Sequence, residues 1–284
     1  MMDMFGELGD RIDFSESGNG PTIVLVPGSC STGSAWRSVI AAWESRFRCV
    51  TTSLLGYGAT AERRSQDDPS VAYEAEMLEA VISRAGGRVH LVGHSFGALV
   101  GLAVALRNKV RLASLTLLEA PAPQLLQVMG EDEHYRAIRC MTDAYFQAFE
   151  DGNAEAIAGM IDFYGGAGTF ASWPPRVRDY AVETTPVNML DWAGAYGFAP
   201  SAKALAGIEI PVLVAWGGLS HPAMRRIGTL LGEYIGGATV AEIDGAAHFM
   251  IATHASQTAD LLARHVASAE ATTGPTIEEP ASPP

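Results

Sequence analysis

The stretch VHLVGHSFGALVGL, residues 89–102, decides the fold. It enters as an apolar run, passes through Gly93-His94-Ser95-Phe96-Gly97, and leaves as a second apolar run. The pentapeptide fits Gly-x-Ser-x-Gly, and it is the one match in 284 residues. With 30 glycines in the chain a chance match is easy, so the setting carries the weight. RVHLVGHS (88–95) reads as a buried strand and FGALVGLAVALRNK (96–109) as a helix. A strand turning sharply into a helix lifts a serine hydroxyl out at the carboxyl edge of a sheet. Gly93 and Gly97 suit such a turn, because a Cβ at either position would collide with neighbouring backbone. The alternative is an ordinary strand–helix turn with no chemistry.

Outward from this stretch, strands and helices alternate. TIVLVPG (22–28), RCVTTSL (48–54) and LASLTLLEAP (112–121) read as strands, as do IPVLVAWG (210–217) and ATVAEID (238–244). Between them, residues 34–47 and 223–235 have helical patterns, and Val71, Ala75, Leu78 and Ile82 recur at helical spacing before Gly86-Gly87. A last helix carries Ala255, Ala259, Leu262 and Val266 on one face. This alternation predicts an α/β fold with a mainly parallel sheet covered on both sides. The tail 271–284, polar and rich in proline, is expected to be disordered.

Residues 121–200 interrupt the alternation. They contain no convincing strand and read as several short helices broken by Gly and Pro. They hold 12 of the 23 aromatic residues, among them Tyr145, Phe146, Phe163, Tyr164, Trp173 and Trp192. Most of these rings serve to build the segment's own core. Others are free to line an apolar cavity against the sheet, with Phe163, Trp173, Trp192 and Tyr145 as candidates. A helical lid over residues 121–200, between core segments 1–120 and 201–270, is the expected organisation.

Composition excludes other classes. Apolar residues make up 48% and charged residues 18%, a globular composition. The formal charge of −13 argues against nucleic-acid binding, which needs a basic face. Cys30, Cys49 and Cys140 form no CxxC pair and no metal spacing, which predicts a reduced, cytoplasmic protein without a metal site. MMDMFGELGDRIDF (1–14) has early acidic residues and no long apolar run, so no signal peptide is expected. FGALVGLAVAL (96–106) is too short to span a bilayer.

These motifs together resemble the α/β-hydrolase family, specifically its lidded, esterase-like group, which also includes C–C bond hydrolases and cofactor-free haloperoxidases. GNGPTIVLVPGS, SLLGYGAT, VHLVGHSFGALVGL, LTLLEAP, IPVLVAWGG and DGAAHFMIATH occur in the family's order, and the resemblance that rests on them covers about residues 10 to 270. The resemblance implies an eight-stranded sheet with the lid after strand six, and neither a metal nor an organic cofactor. Dehalogenases and epoxide hydrolases share the fold but use an aspartate nucleophile, and Ser95 excludes both.

The resemblance also assigns roles. Ser95 is the expected nucleophile. Of seven histidines, His248 in DGAAHFM falls in the loop where the family places its base, whereas His90, His94, His134, His221, His254 and His265 lie elsewhere. The oxyanion hole is expected from the backbone N–H groups of Ser29 and Phe96. Pro27 stands where relatives often have His, a departure without consequence for a backbone donor.

The acid is the difficulty. The common position follows strand seven, where AWGGLSHP (215–222) aligns Ser220 with the expected aspartate. Some relatives carry the acid after strand six, and there LTLLEAP supplies Glu119, the one carboxylate on an apolar strand. Glu119 is therefore the expected acid, with a brace for the His248 loop as its alternative role; Asp244 fits better as the end of a strand.

The expected activity is hydrolysis of small to medium apolar esters through an acyl-enzyme. C–C cleavage of a diketone by the same residues is a second reading. It needs a grip on a substrate carboxylate, for which Arg136, Arg139, Arg176 and Arg178 are candidates. A non-catalytic binding protein is the third, supported by the missing aspartate alone.

Overall fold

A computed structural model of the protein describes residues 12–273. The readings made for residues 1–11 and for the tail from 274 lie outside the described residues. Residues 271–273, expected in the tail, instead end the helix Ala255–Thr273.

Seven strands form one sheet: β1 (Ser15–Ser17), β2 (Thr22–Val26), β3 (Arg48–Thr51), β4 (Val89–His94), β5 (Leu112–Leu118), β6 (Val212–Gly217) and β7 (Thr239–Ile243). Their order is β1-β3-β2-β4-β5-β6-β7. Only β1 runs antiparallel to its neighbour, pairing Glu16 with Val50.

The central strands are buried along their whole length, β4 and β5 without one exposed residue. Period-two alternation sorts their side chains between two cores. Val24 and Val26 of β2 and Val212 and Val214 of β6 face one core. Ile23, Leu25, Leu213 and Ala215 face the other. With helices on both faces, both sides of each strand must be apolar, which is why these runs read as continuous.

Where eight strands were expected, the described residues form seven. Six of them were readable as apolar runs. The seventh, β1, is a three-residue polar edge with all residues exposed, so it carries no hydrophobic period. The count of eight came from the resemblance and not from a run of residues. Consequently the helical segment follows the fifth described strand, where the sixth was expected. That segment runs from Pro123–Val128 to Thr185–Gly197 without a strand. Its helices are not all short: Asp132–Glu150 has 19 residues, with Ile138, Thr142 and Tyr145 buried.

The turn at Ser95 depends on close packing of backbone. A Cβ at Gly93 would stand 2.5 Å from Ala98 Cα and collide with the Gly97 carbonyl oxygen. At Gly97 it would meet Val26 O at 2.7 Å and collide with Pro27 O. The helix Phe96–Arg107 is thereby seated directly on β2 and β4. Gly97→Ala must push this helix off the strand ends, so an overpacking loss of about 1–3 kcal/mol is expected. Urea unfolding checks this; an unchanged midpoint would contradict the seating.

Candidate active site

Parallel strands deliver their carboxyl ends to one edge, and the candidate residues follow those ends. β4 ends at His94 and β5 at Leu118, partners in register, so Ser95 and Glu119 leave adjacent strands side by side. Each is pinned by its backbone: Ser95 N–H donates to Leu118 O at 2.8 Å and Glu119 N–H to Ala215 O at 3.0 Å. Both have left-handed backbone, with φ of 54° and 52°. A non-glycine residue there carries strain on the order of 1–3 kcal/mol, held in place by the surrounding ladder.

A hydrogen-bonded chain links three side chains. His248, in the loop after β7, shares a proton with Glu119 Oε2 through Nδ1 at 2.6 Å. Its Nε2 lies 2.9 Å from Ser95 Oγ. Opposite a carboxylate, Nδ1 carries the proton, which leaves Nε2 to accept from the serine hydroxyl. His248 and Glu119 are 2% and 3% exposed, so water does not compete for these bonds. Tyr164 stacks on the imidazole at 4.1 Å.

Ser220, aligned with the expected aspartate, has a use. Its hydroxyl donates a short hydrogen bond to Glu119 Oε1. The Gly217 N–H donates to the same oxygen at 2.9 Å. Position 220 therefore holds the carboxylate that arrives from β5. Burial pushes the Glu119 carboxyl up, but the bonds from His248, Gly217 and Ser220 outweigh it and hold the group below the usual range.

The other histidines sit apart from the serine hydroxyl. His94 donates from Nε2 to the His248 carbonyl at 2.7 Å, and burial drives it down to about 3, so it is a neutral clamp on the His248 loop. His90 bonds Ser114 Oγ at 2.9 Å from within β4. His221 stacks on Phe163 at 4.0 Å. His254 bonds its neighbour Thr253, His265 belongs to the last helix, and His134 to the helix Asp132–Glu150. Asp244 follows the end of β7.

A cavity of about 50 Å³ opens over Ser95 and His248. That is room for a few atoms the size of water. Ser29, Cys30 and Phe96 come from the sheet side. Met160, Ile161, Tyr164, Trp173, Asn188, Asp191 and Trp192 come from the helical segment. Trp173 and Trp192 thus line the cavity, whereas Phe163 and Tyr145 do not, and their expected role is corrected. On the helix Ile157–Gly165, positions 160, 161 and 164 share the cavity face, which turns 163 away toward His221. Tyr145 is buried inside the segment against Phe146 at 5.4 Å. At Gly28 a Cβ would stand 2.7 Å from Ser95 Cβ, so glycine lets this turn approach the serine and brings Ser29 to the cavity wall.

One group was not singled out in the sequence. Asp191, 2% exposed, accepts from Ser29 Oγ at 2.5 Å, Tyr57 OH at 2.6 Å and Arg64 Nη1 at 2.7 Å. The same guanidinium reaches Glu62 at 2.8 Å and the buried Glu74 at 3.2 Å. Burial pushes Glu74 up to about 8, so near neutrality Arg64 chiefly balances Asp191 and Glu62. Arg64 and Asp191 are 127 residues apart, and nothing local marks either. A partial signal exists: Asn188, Asp191, Trp192 and Ala195 fall on one helical face, polar and aromatic together.

Among the described residues no cluster of His, Cys, Asp or Glu could hold a metal ion. No described helix is long and apolar enough to cross a membrane.

The comparisons with known proteins agree with this architecture. A model of the alpha/beta hydrolase family matches residues 23–261, and the chain belongs to that family. It is 32% identical over 108 residues to the pimeloyl-[acyl-carrier protein] methyl ester esterase of Vibrio atlanticus, covering 38% of this chain and 40% of that one. It is 32% identical over 98 residues to the putative carbamate hydrolase RutD of Shigella flexneri, covering 34% and 36%. The chain thus spans well under half the length of these relatives. In fold it is similar to the enol-lactonase from Burkholderia xenovorans LB400, with a TM-score of 0.71, 21% identity, and coverage of 90% and 96%.

Arg64→Met would leave Asp191 buried with its charge uncompensated. Removing one partner of such a pair costs about 3–5 kcal/mol. Urea unfolding at neutral pH is the measurement, and a loss under about 1 kcal/mol would mean that the carboxylate finds another cation or water.

Proposed function

We propose that this chain is a serine hydrolase of carboxylic esters, working through an acyl-enzyme on small to medium apolar substrates. The observation that carries the proposal is the continuous chain from Ser95 Oγ through His248 to Glu119, opening into a largely apolar cavity. In this reading His248 Nε2 takes the hydroxyl proton as Ser95 Oγ attacks the ester carbonyl carbon. The new imidazolium is stabilised by Glu119 and by the face of Tyr164. The carbonyl electron pair moves onto oxygen, where the N–H groups of Ser29 and Phe96 are the proposed donors. The oxyanion collapses, the C–O bond to the alcohol breaks, and His248 returns its proton to the leaving oxygen. Water then repeats the sequence on the acyl-Ser95, releasing acid and restoring the hydroxyl.

The helical segment is proposed as the lid, since it contributes most of the lining. Three unpaired thiols support a reducing, cytoplasmic setting. The diketone reading loses its support, because Arg136, Arg139, Arg176 and Arg178 all lie outside the cavity lining. Arg139 pairs with the exposed Asp143.

Ser95→Ala should abolish ester turnover, and a fluorophosphonate should label Ser95 alone; labelling of another serine would sink the mechanism. Glu119→Gln should keep the fold and lower kcat by about a thousandfold or more, through the wrong imidazole tautomer and the lost charge. Near-normal kcat would refute the acid.

Ser220→Asp separates the two acid positions. In the native background it sets a second carboxylate against Glu119, so one of the pair takes up a proton and activity at neutral pH falls. In the Glu119→Gln background it should restore part of the lost rate. Steady-state kinetics of the three variants decides this, and an unaffected Ser220→Asp single variant would refute the contact as a constraint on Glu119.

A further inference from the structure

The turn that follows β2 is bent against its own preference. Cys30 holds a φ of 56°, a left-handed conformation that is unfavourable for a residue with a Cβ. The turn also runs hard against the nucleophile, since a Cβ at Gly28 would stand 2.7 Å from Ser95 Cβ. Ser29 lies between these two points and lines the cavity. Its backbone N–H donates to no group among the described residues, which leaves it free for a substrate oxygen.

A strained turn keeps its shape only where its surroundings over-determine it, and side chains supply that here. Ser31 Oγ donates to Gly28 O at 3.0 Å, which closes the turn on itself. Ser29 Oγ donates to Asp191 Oδ2 at 2.5 Å, which ties the turn to the helix Thr185–Gly197, 162 residues away. The anchor of this second bond is itself fixed. Asp191 is buried and also accepts from Tyr57 OH at 2.6 Å and Arg64 Nη1 at 2.7 Å, both from the loop between β3 and the helix Val71–Ala85. A hydroxyl bonded to a carboxylate makes a stronger bond than one to a neutral acceptor. The Ser29 side chain is therefore held in one orientation, and the backbone N–H of the same residue is held with it.

We propose that Asp191 is a positioning residue: carried by the helical segment, it holds Ser29 so that the backbone N–H of that turn points at the oxyanion formed on the substrate. The oxyanion hole is then completed by the segment that covers the cavity, and not by the sheet alone. The inference rests on the ester-hydrolase reading for its effect on rate, while the tie and the shape of the turn can be read without turnover.

Replacing Asp191 would leave the buried Arg64 short of a partner, so the tie is cut at Ser29 instead. Ser29→Ala keeps every backbone N–H and leaves Asp191 its bonds from Tyr57 and Arg64. With p-nitrophenyl acetate, kcat should fall about tenfold or more while KM stays within about twofold, because the misplaced N–H matters in the transition state. A trifluoromethyl ketone, whose adduct with Ser95 sets an oxyanion in the same place, should lose affinity by a similar factor. Ser29→Thr keeps the hydroxyl and should stay within about threefold of the native kcat. Glycine accepts left-handed backbone without strain, so Ser29→Ala/Cys30→Gly should recover part of the kcat lost in Ser29→Ala. A native-like kcat in Ser29→Ala would overturn the proposal, as would a fall in kcat with ketone inhibition unchanged.

Hydrogen–deuterium exchange over residues 26–33 reads the turn without chemistry. Exchange there should quicken in Ser29→Ala and not in Ser29→Thr, with the rest of the sheet as protected as in the native protein. Failure of the native protein to hydrolyse any ester would refute the esterase reading. Faster exchange confined to this turn in Ser29→Ala would still support Asp191 as the group that holds it. Unchanged exchange in Ser29→Ala would overturn the positioning role whatever the kinetics.

Discussion

A carboxylate kept charged inside a protein has to be surrounded by donors, and the site is arranged around that requirement at Glu119. Its two oxygens face different tasks. Oε2 is given to His248 alone, while Oε1 is taken by the Gly217 N–H and the Ser220 hydroxyl. If Oε1 were unpaired, the carboxyl could rotate or take up a proton, and the imidazole would lose both its tautomer and its orientation. The donors come from the end of β6 and the turn beyond it, so the neighbouring strand polarises the acid that leaves β5. Left-handed backbone at Glu119 aims its side chain along the strand ends. The strain there is offset by the ladder bond to Ala215 O and by the three bonds that the new direction makes possible.

The α/β class and six of the seven described strands were legible because buried parallel strands are continuous apolar runs. Ser95 was marked by its pentapeptide at the junction of two such runs, while Glu119 and His248 were assigned through the resemblance to the family. What no run reveals is how far apart those ends lie. The hydrogen bonds joining the three span 129 and 153 residues, so their meeting is a property of strand order. The failures have the same origin. Tyr145 and Phe163 were chosen as aromatic residues in an aromatic-rich segment, but which face of each helix meets the sheet depends on tertiary packing. The neighbour Tyr164 faces the imidazole, 100° further around the same helix. Arg64 lies in a loop without hydrophobic periodicity, and only its partners across the fold reveal what it does.

The position of Ser220 shows how one substitution can be absorbed without loss of the chemistry. Either of two strand ends can present a carboxylate to His248 Nδ1, because β5 and β6 are adjacent, with Leu118 paired to Ala215. Two carboxylates there would compete, and one would be forced neutral. A hydroxyl at the unused end instead supplies a donor to the acid at the other. A hydroxyl at position 220 is thus compatible with the carboxylate that leaves β5, which it helps to hold.

The same reasoning joins the helical segment to the core. Asp191 is carried by that segment, yet every donor it accepts from, Ser29, Tyr57 and Arg64, belongs to the sheet side. Swinging the segment away at this point would break three bonds to one anion and leave the wholly buried guanidinium to Glu62 and Glu74. While the cluster stays dry, losing any one donor leaves a buried charge short of a partner. The segment is therefore pinned at its Asp191 end, close to the turn that bears Ser29. The opposite wall is held differently. Trp173 and Phe249 meet edge to face at 5.0 Å, are only half-buried, and have no polar tie to each other. The Asp191 cluster therefore ties the helical segment to the turn that bears Ser29, beside Ser95 and on one wall of the cavity.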